Sequence, residues 1–180
     1  MPLPERMRAP EVSLKKISEL AKKAEGILAK IEQGSADDDP ALVAMINEWN
    51  SQTVSPRHFA DFRDFPSSTS AIDFTRTAMN QARLYPDFTW AELIQTVNFI
   101  CDCEGAESEQ DYALSLLECN FDANASDLIF WPDSWFDNPE LADDELSAEE
   151  IAGYLLARSG RHLPDAPALT LMYPIPGHKR

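Results

Sequence analysis

The sequence predicts an all-α protein made of two helical parts. Apolar residues recur at three- and four-residue steps along most of the chain, and helix-capping residues precede several of these stretches. No alternating pattern of useful length predicts a β-strand. With 180 residues and 44% hydrophobic side chains, the chain is large enough to build a buried core.

The first half predicts four helices. They run from about Ser13 to Gly34, from the acidic turn Asp37-Asp38-Asp39-Pro40 to Trp49, from Ser55 to Phe65, and from a capping box at Ser70 to about Arg83. Five aromatic residues indicate a helical packing unit of its own: Trp49, Phe59, Phe62, Phe65 and Phe74. We therefore place a domain boundary between 1–85 and 86–180.

The second half predicts a further series of helices. The first is capped by Thr89, the second runs from about 106 to Phe121, and a stretch of one turn at 126–132 is closed by Pro132. Ser126 or Asp127 is the expected cap of this short stretch. A loop should follow it, then a last helix capped by Ser147 and an extended, proline-containing tail after Leu163.

Charge divides the chain at the same boundary. Residues 1–86 carry 11 Lys or Arg and 12 Asp or Glu, a net charge of −1, whereas residues 87–180 carry 4 and 19, a net charge of −15. Between Arg83 and Arg158 there are 18 acidic side chains and no basic one. Such a surface repels nucleic acid and anionic lipid, and it favours a positively charged protein partner.

Several other classes of protein and site are disfavoured. No stretch approaches the roughly 18 to 20 apolar residues of a membrane span, and charged residues interrupt the first 30 residues, so we expect a cytoplasmic protein without a membrane partner. Cys101, Cys103 and Cys119 are expected to be reduced, buried thiols. Together with His162 they fit zinc poorly, so we expect no metal, no cofactor and no catalytic site.

Several segments of the second half resemble the immunity proteins of DNase colicins and S-type pyocins. Four segments occur in the family's order and spacing. They are 88–93 (Phe-Thr-Trp-Ala-Glu-Leu), 100–102 (Ile-Cys-Asp), 104–106 (Glu-Gly-Ala) and 126–132 (Ser-Asp-Leu-Ile-Phe-Trp-Pro). The family shows Tyr-Thr-x-x-Glu-Phe, Ile-Cys-Asn and Ser-Asp-Leu-Ile-Tyr-Tyr-Pro. The resemblance covers about residues 86–165 and fades after Ser147, where only Arg158 matches the family's Trp-Arg.

The resemblance implies a fold and a function. The fold is a distorted antiparallel four-helix bundle with a very short third helix, preceded here by a separate N-terminal helical unit. The function is that of a bacteriocin immunity protein, which binds a cognate basic nuclease, most often an HNH DNase, beside its active site and so blocks access of DNA. Whether the toxin is a DNase or an RNase stays open, as does the formation of homo-oligomers.

The resemblance also implies which residues bind the partner. On the second helix the family register selects Asp111, Tyr112, Ser115 and Cys119, with Glu109 and Glu118 as nearby electrostatic contributors. On the short third helix it selects Ser126, Asp127, Phe130 and Trp131. Each has a structural alternative: Tyr112, Phe130 and Trp131 as core residues, Asp127 as a cap, and the glutamates as solvated acids.

Two other functions remain open at this point. An acidic protein that mimics DNA and regulates another nucleic-acid-binding protein would account for the charge but not for the ordered segments. A small enzyme or metal protein is disfavoured by the scarcity of His and Cys. The first half could be a dimerisation module, a second immunity or adaptor domain, or a support for the bundle.

Overall fold

The computed structural model describes residues 1–80 and 82–177, and these residues confirm the all-α class. They contain nine α-helices, three short 3₁₀ turns and no strand. None of the described helices is both long and apolar enough to cross a membrane. The described residues form two compact units, which we call the small unit (9–80 and 107–109) and the large unit (1–8, 82–106 and 110–177).

Four helices build the small unit. They are α1 (Leu14–Glu32), α2 (Pro40–Ser51), α3 (Phe59–Asp64) and α4 (Ala71–Met79). The predicted caps Ser13, Asp39 and Ser70 are confirmed, because each side chain accepts a hydrogen bond from a backbone N–H of the first turn. Helix α3 starts at Phe59 rather than at the predicted Ser55, and α4 ends at Met79 rather than at about Arg83.

An aromatic cluster forms the core of the small unit. The Trp49 ring lies 5.1 Å from that of Phe62 and 5.5 Å from that of Phe74, and Phe74 stacks on Phe65 at 4.6 Å. The Trp49 indole N–H donates to the Leu20 carbonyl at 2.9 Å, which satisfies the polar atom of a buried ring. Phe59 packs against this cluster while partly buried. The aromatic residues singled out in the sequence therefore share one core.

The large unit is built on five helices. They are α5 (Trp90–Cys101), α6 (Glu107–Asn120, of which 110–120 belong to this unit), α7 (Ala125–Phe130), α8 (Pro132–Phe136) and α9 (Ala148–Ser159). Capping boxes at Thr89 and Ser147 start α5 and α9, as predicted for both caps. Helix α8 occupies part of the segment that we expected to be a loop. Helix α9 packs against α5 and α7.

A polar cluster joins the ends of α6 and α9 to the chain before α5. Asn120 accepts a hydrogen bond from the Tyr85 backbone N–H at 2.7 Å and donates to the Arg83 carbonyl at 2.8 Å. Arg161 donates to the Asn120 carbonyl at 2.9 Å, and its guanidinium lies 5.0 Å from the Phe121 ring centroid. Partial burial lowers the pKa of Arg161.

The tail after α9 packs back along that helix. An added Cβ at Gly153 would lie 2.9 Å from a methyl carbon of Leu169 and 2.9 Å from one of Leu171, so this glycine allows the tail to approach α9 closely. The Tyr173 backbone N–H donates to the Tyr154 hydroxyl at 2.9 Å. The tail therefore belongs to the packed part of the large unit.

Residues 1–8 also belong to the large unit, which differs from the predicted domain ranges. Leu3 and Met7 are buried, and the Gln95 side chain donates to the Pro2 carbonyl. Arg6 donates to both carboxylate oxygens of Glu92, at 2.6 and 2.8 Å, and to Asp87 at 2.8 Å. These eight residues form an N-terminal strap, which no local sequence pattern predicts because its hydrogen-bond partners in the rest of the unit are more than 75 residues away.

We expect Met7→Ala to destabilise the large unit. Met7 is fully buried, so the truncation leaves a cavity and should lower the free energy of unfolding by about 2–4 kcal/mol. Chemical denaturation with hydrogen exchange at α5 measures the effect. The matched control is Met172→Ala, at a 76% exposed position, which should change little; equal effects of the two variants would contradict burial of the strap.

The Arg6–Glu92 pair should make stability sensitive to acid. Hydrogen bonding from Arg6 lowers the pKa of Glu92 below its ordinary 4.5, against the opposing effect of burial. A lowered folded-state pKa stabilises the protein above the unfolded-state pKa, and this contribution is lost as the pH falls through the folded-state value.

The wild type should therefore lose more stability than Arg6→Ala between about pH 6 and pH 3. Denaturation midpoints across this range measure the difference. Lys15→Ala serves as the control, and its profile should parallel that of the wild type; a parallel profile for Arg6→Ala would contradict the assignment.

Candidate protein-binding surface

The surface centres on a sharp corner between α7 and α8. Trp131 separates the two helices with a φ of −138° and a ψ of 60°, and Pro132 is the first residue of α8. A residue before proline is disfavoured in the helical conformation, and proline is well suited to the first position of a helix. The sequence Trp-Pro therefore ends one helix and starts the next.

The corner holds two aromatic side chains outward. Leu128, Pro132 and Trp135 are buried, and the Trp135 indole N–H donates to the Ala123 carbonyl at 2.7 Å. With the residues on both sides fixed in the core, Phe130 is left 48% exposed and Trp131 63% exposed. The alternative that Phe130 and Trp131 are core residues is therefore wrong.

Asn124, rather than Ser126 or Asp127, caps α7. It lies in the left-handed region with a φ of 52°, its side chain accepts from the Asp127 N–H, and its amide donates to the Asp127 carboxylate at 2.7 Å. Asparagine tolerates this conformation better than most residues. The predicted cap was wrong because the helix starts at Ala125, which places its cap two residues before Ser126 and three before Asp127.

Ser126 and Asp127 are half-buried in the first turn of α7. The Ser126 backbone N–H donates to a carboxylate oxygen of Glu118 at 2.9 Å. Glu118 is therefore more than a solvated acid, because it ties the end of α6 to the start of α7. This hydrogen bond joins the predicted contact residues of α6 to those of α7.

Helix α6 presents four of its predicted contact residues to solvent. Asp111, Ser115, Glu118 and Cys119 are exposed, and their spacing of four, three and one residues places them on one helix face. The Ser115 hydroxyl donates to the Asp111 carbonyl at 2.8 Å. Glu109 is also exposed, but it is grouped with the small unit, so we leave it out of this surface.

Tyr112 is a core residue. Its side chain is only 3% exposed, and burial raises the pKa of its phenol. It follows Asp111 by one position, which on a helix turns the side chain away from the exposed face. Of its two alternatives, partner contact and core, the structure places Tyr112 in the core, so we correct its assignment as a contact residue.

The cysteines are exposed rather than buried. All three are free thiols, and Cys119 lies on the α6 face described above. Although the Cys101 residue is exposed, neighbouring protein atoms partly desolvate its thiol, and together with Asp102 and Glu145 nearby they raise its pKa, which disfavours the reactive thiolate form. Within residues 1–80 and 82–177, no group of three His, Cys, Asp or Glu side chains could hold a metal ion.

Sequence reasoning missed one part of this region. The segment 142–146, between the 3₁₀ turn Pro139–Leu141 and α9, lies beside Phe130 and lines a groove with it. The only sequence feature that could have indicated it is the run Asp143-Asp144-Glu145, which has no basic residue nearby in the sequence.

Comparisons with protein-family profiles, with curated proteins and with solved structures find no match for this chain.

We expect Asn124→Ala to loosen the α7–α8 corner. Alanine removes the cap and is strained at a positive φ, so the free energy of unfolding should fall by about 1–2 kcal/mol. Asn124→Gly removes the same side chain but tolerates the backbone conformation, so its cost should be smaller. Thermal or chemical denaturation of both variants measures the two losses of stability. A larger loss for Asn124→Gly than for Asn124→Ala would contradict the assignment.

Proposed function

We propose that this chain is a bacteriocin immunity protein, which binds and neutralises a cognate nuclease toxin. The proposal rests above all on one observation: two large aromatic side chains, Phe130 and Trp131, are held outward at a fixed corner in the most acidic part of the chain. The resemblance of residues 86–165 to the immunity proteins of DNase colicins and pyocins selected the same two residues.

The arrangement of the large unit is compatible with that family. In the proposal, α5, α6, α7 and α9 correspond to the four helices of the distorted bundle, and α7, with six residues, corresponds to the very short third helix. Helix α8 and the Pro139–Leu141 turn are then insertions between the third and fourth helices.

Charge and aromatic surface make different contributions to such a complex. A nuclease that holds DNA is basic, so the acidic surface accelerates encounter and repels the DNA that competes for the toxin. Surface charge is screened beyond about 8 Å at physiological salt. Tight binding therefore requires contacts that exclude water, and Trp and Tyr side chains commonly supply them at protein interfaces.

A surface of this composition suits binding at a site adjacent to DNA. The exposed face of α6 contributes Asp111, Ser115 and Glu118, and the first turn of α7 contributes Asp127, which precedes the two rings by three and four residues. In the proposal the protein lies beside the active site of the toxin, where its charge and bulk exclude the substrate. It has no catalytic role and requires no cofactor.

We expect the double variant Phe130→Ala/Trp131→Ala to lose inhibition of the toxin encoded by the neighbouring reading frame. Each truncation of an interface anchor typically weakens binding by about 2 kcal/mol, or roughly 30-fold. A nuclease assay with purified proteins, together with survival of cells that produce the toxin, measures the loss. Both side chains are exposed, so the variant should remain folded.

The matched control removes exposed apolar side chains elsewhere in the large unit. Leu84→Ala/Met172→Ala truncates side chains that are 69% and 76% exposed, and inhibition should be unchanged. Raising the salt concentration should slow association more than it speeds dissociation. If salt alone dissolves the complex and Phe130→Ala/Trp131→Ala inhibits normally, the alternative of an acidic DNA mimic accounts better for the protein.

A further inference from the structure

The groove beside Phe130 has an apolar wall that the proposed function does not explain. It has a volume of about 520 Å³ and lies between the ends of α5 and α7, the segment 142–146 and the first turns of α9. Its apolar lining consists of Ile129, Phe130, Pro132, Ala142, Leu146 and Ile151. Phe130 therefore faces both the solvent and this groove.

The rest of the groove is acidic and lacks an internal counter-charge. Asp102, Asp143, Asp144 and Glu145 line it. Asp144 accepts a hydrogen bond from the Tyr173 hydroxyl at 3.4 Å, whereas the other three form no ion pair with a described residue. A cation that entered this groove would thus meet several carboxylates that no side chain of the described chain neutralises.

We infer that the groove receives an arginine side chain from the basic partner, an assignment that rests on the proposed function. The methylene stem and guanidinium plane pack against Phe130 and Pro132, and the guanidinium N–H groups donate to Asp143 and Glu145. Charge complementarity selects a cation, and the apolar wall selects one with a long apolar stem.

Arginine fits this wall better than lysine or a metal ion. Its planar guanidinium stacks on aromatic faces, is less strongly hydrated than an ammonium group and forms paired hydrogen bonds with carboxylates. A metal ion would need a cluster of ligands, and no suitable group of three occurs among residues 1–80 and 82–177. The apolar half of the groove would also contribute nothing to metal binding.

A peptide titration tests the chemistry of the groove without the toxin. The isotope-labelled full chain is titrated with the peptide acetyl-Gly-Leu-Arg-Leu-Gly-amide and observed by NMR. The expected result is amide shifts confined to residues near 129–130 and 142–146. The same peptide with neutral citrulline in place of arginine should give none; equal shifts with citrulline, or arginine shifts spread over the acidic surface, would overturn the inference.

Two variants of equal charge separate this groove from the general acidity of the chain. Asp143→Asn/Glu145→Gln removes two groove carboxylates, and Asp122→Asn/Glu149→Gln removes two exposed carboxylates outside the groove. The groove variant should bind the arginine peptide with a Kd about tenfold higher, as expected for the loss of two exposed ion pairs. Equal weakening by both variants would show that only net charge matters and would overturn the inference.

The toxin assay distinguishes failure of the inference from failure of the proposed function. The groove variant should inhibit the neighbouring nuclease less than the control variant does. If Phe130→Ala/Trp131→Ala abolishes inhibition while the groove variant inhibits normally, the proposed function stands and the inference is overturned. If the chain inhibits no nuclease but the arginine peptide binds only the intact groove, the proposed function fails while the chemistry of the groove stands.

Discussion

The burial of Leu128 and Trp135 on either side of a Trp-Pro corner is the constraint on which the candidate surface depends. A helix of six residues cannot be stable by itself, because the cost of nucleating a helix exceeds the gain from so few hydrogen bonds. Tertiary packing must therefore hold α7, and it does so through Leu128 and the neighbouring Trp135. Phe130 and Trp131 are exposed as a consequence, and the same packing that stabilises the unit fixes their direction.

This arrangement prepares a binding surface before a partner arrives. Ordering two aromatic side chains and a loop at the moment of binding would cost conformational entropy. Because the corner and its cap are already ordered by folding, binding does not carry this cost. Asn124 and Glu118 extend the effect, because their hydrogen bonds hold Asp127 and Ser126 in place. Asp127 and the two rings consequently keep a fixed spacing along α7 and the corner.

Local patterns predicted much of the helical structure, and long-range packing decided what they missed. The caps at Ser13, Asp39, Ser70, Thr89 and Ser147 were predictable because a cap depends on a few neighbouring residues. The exposure of Phe130 and Trp131 was not fixed by composition, since a short apolar run is usually buried, and only the resemblance favoured their exposure. Tyr112 was misassigned because a shift of one residue changes the helix face, and the cap of α7 was missed because Asn124 lies outside the segment 126–132 that carries the resemblance.

The N-terminal strap has a consequence for the order of folding. Leu3 and Met7 are synthesised before the small unit, yet the rest of the large unit to which they belong follows only after residue 82. At about 5–20 residues per second, translation of the intervening chain takes roughly 4–15 s, during which the small unit can assemble while the two apolar side chains stay in water. Completion of the large unit thus waits until the residues after 82 have been synthesised, and a chaperone that shields the strap would act during this interval.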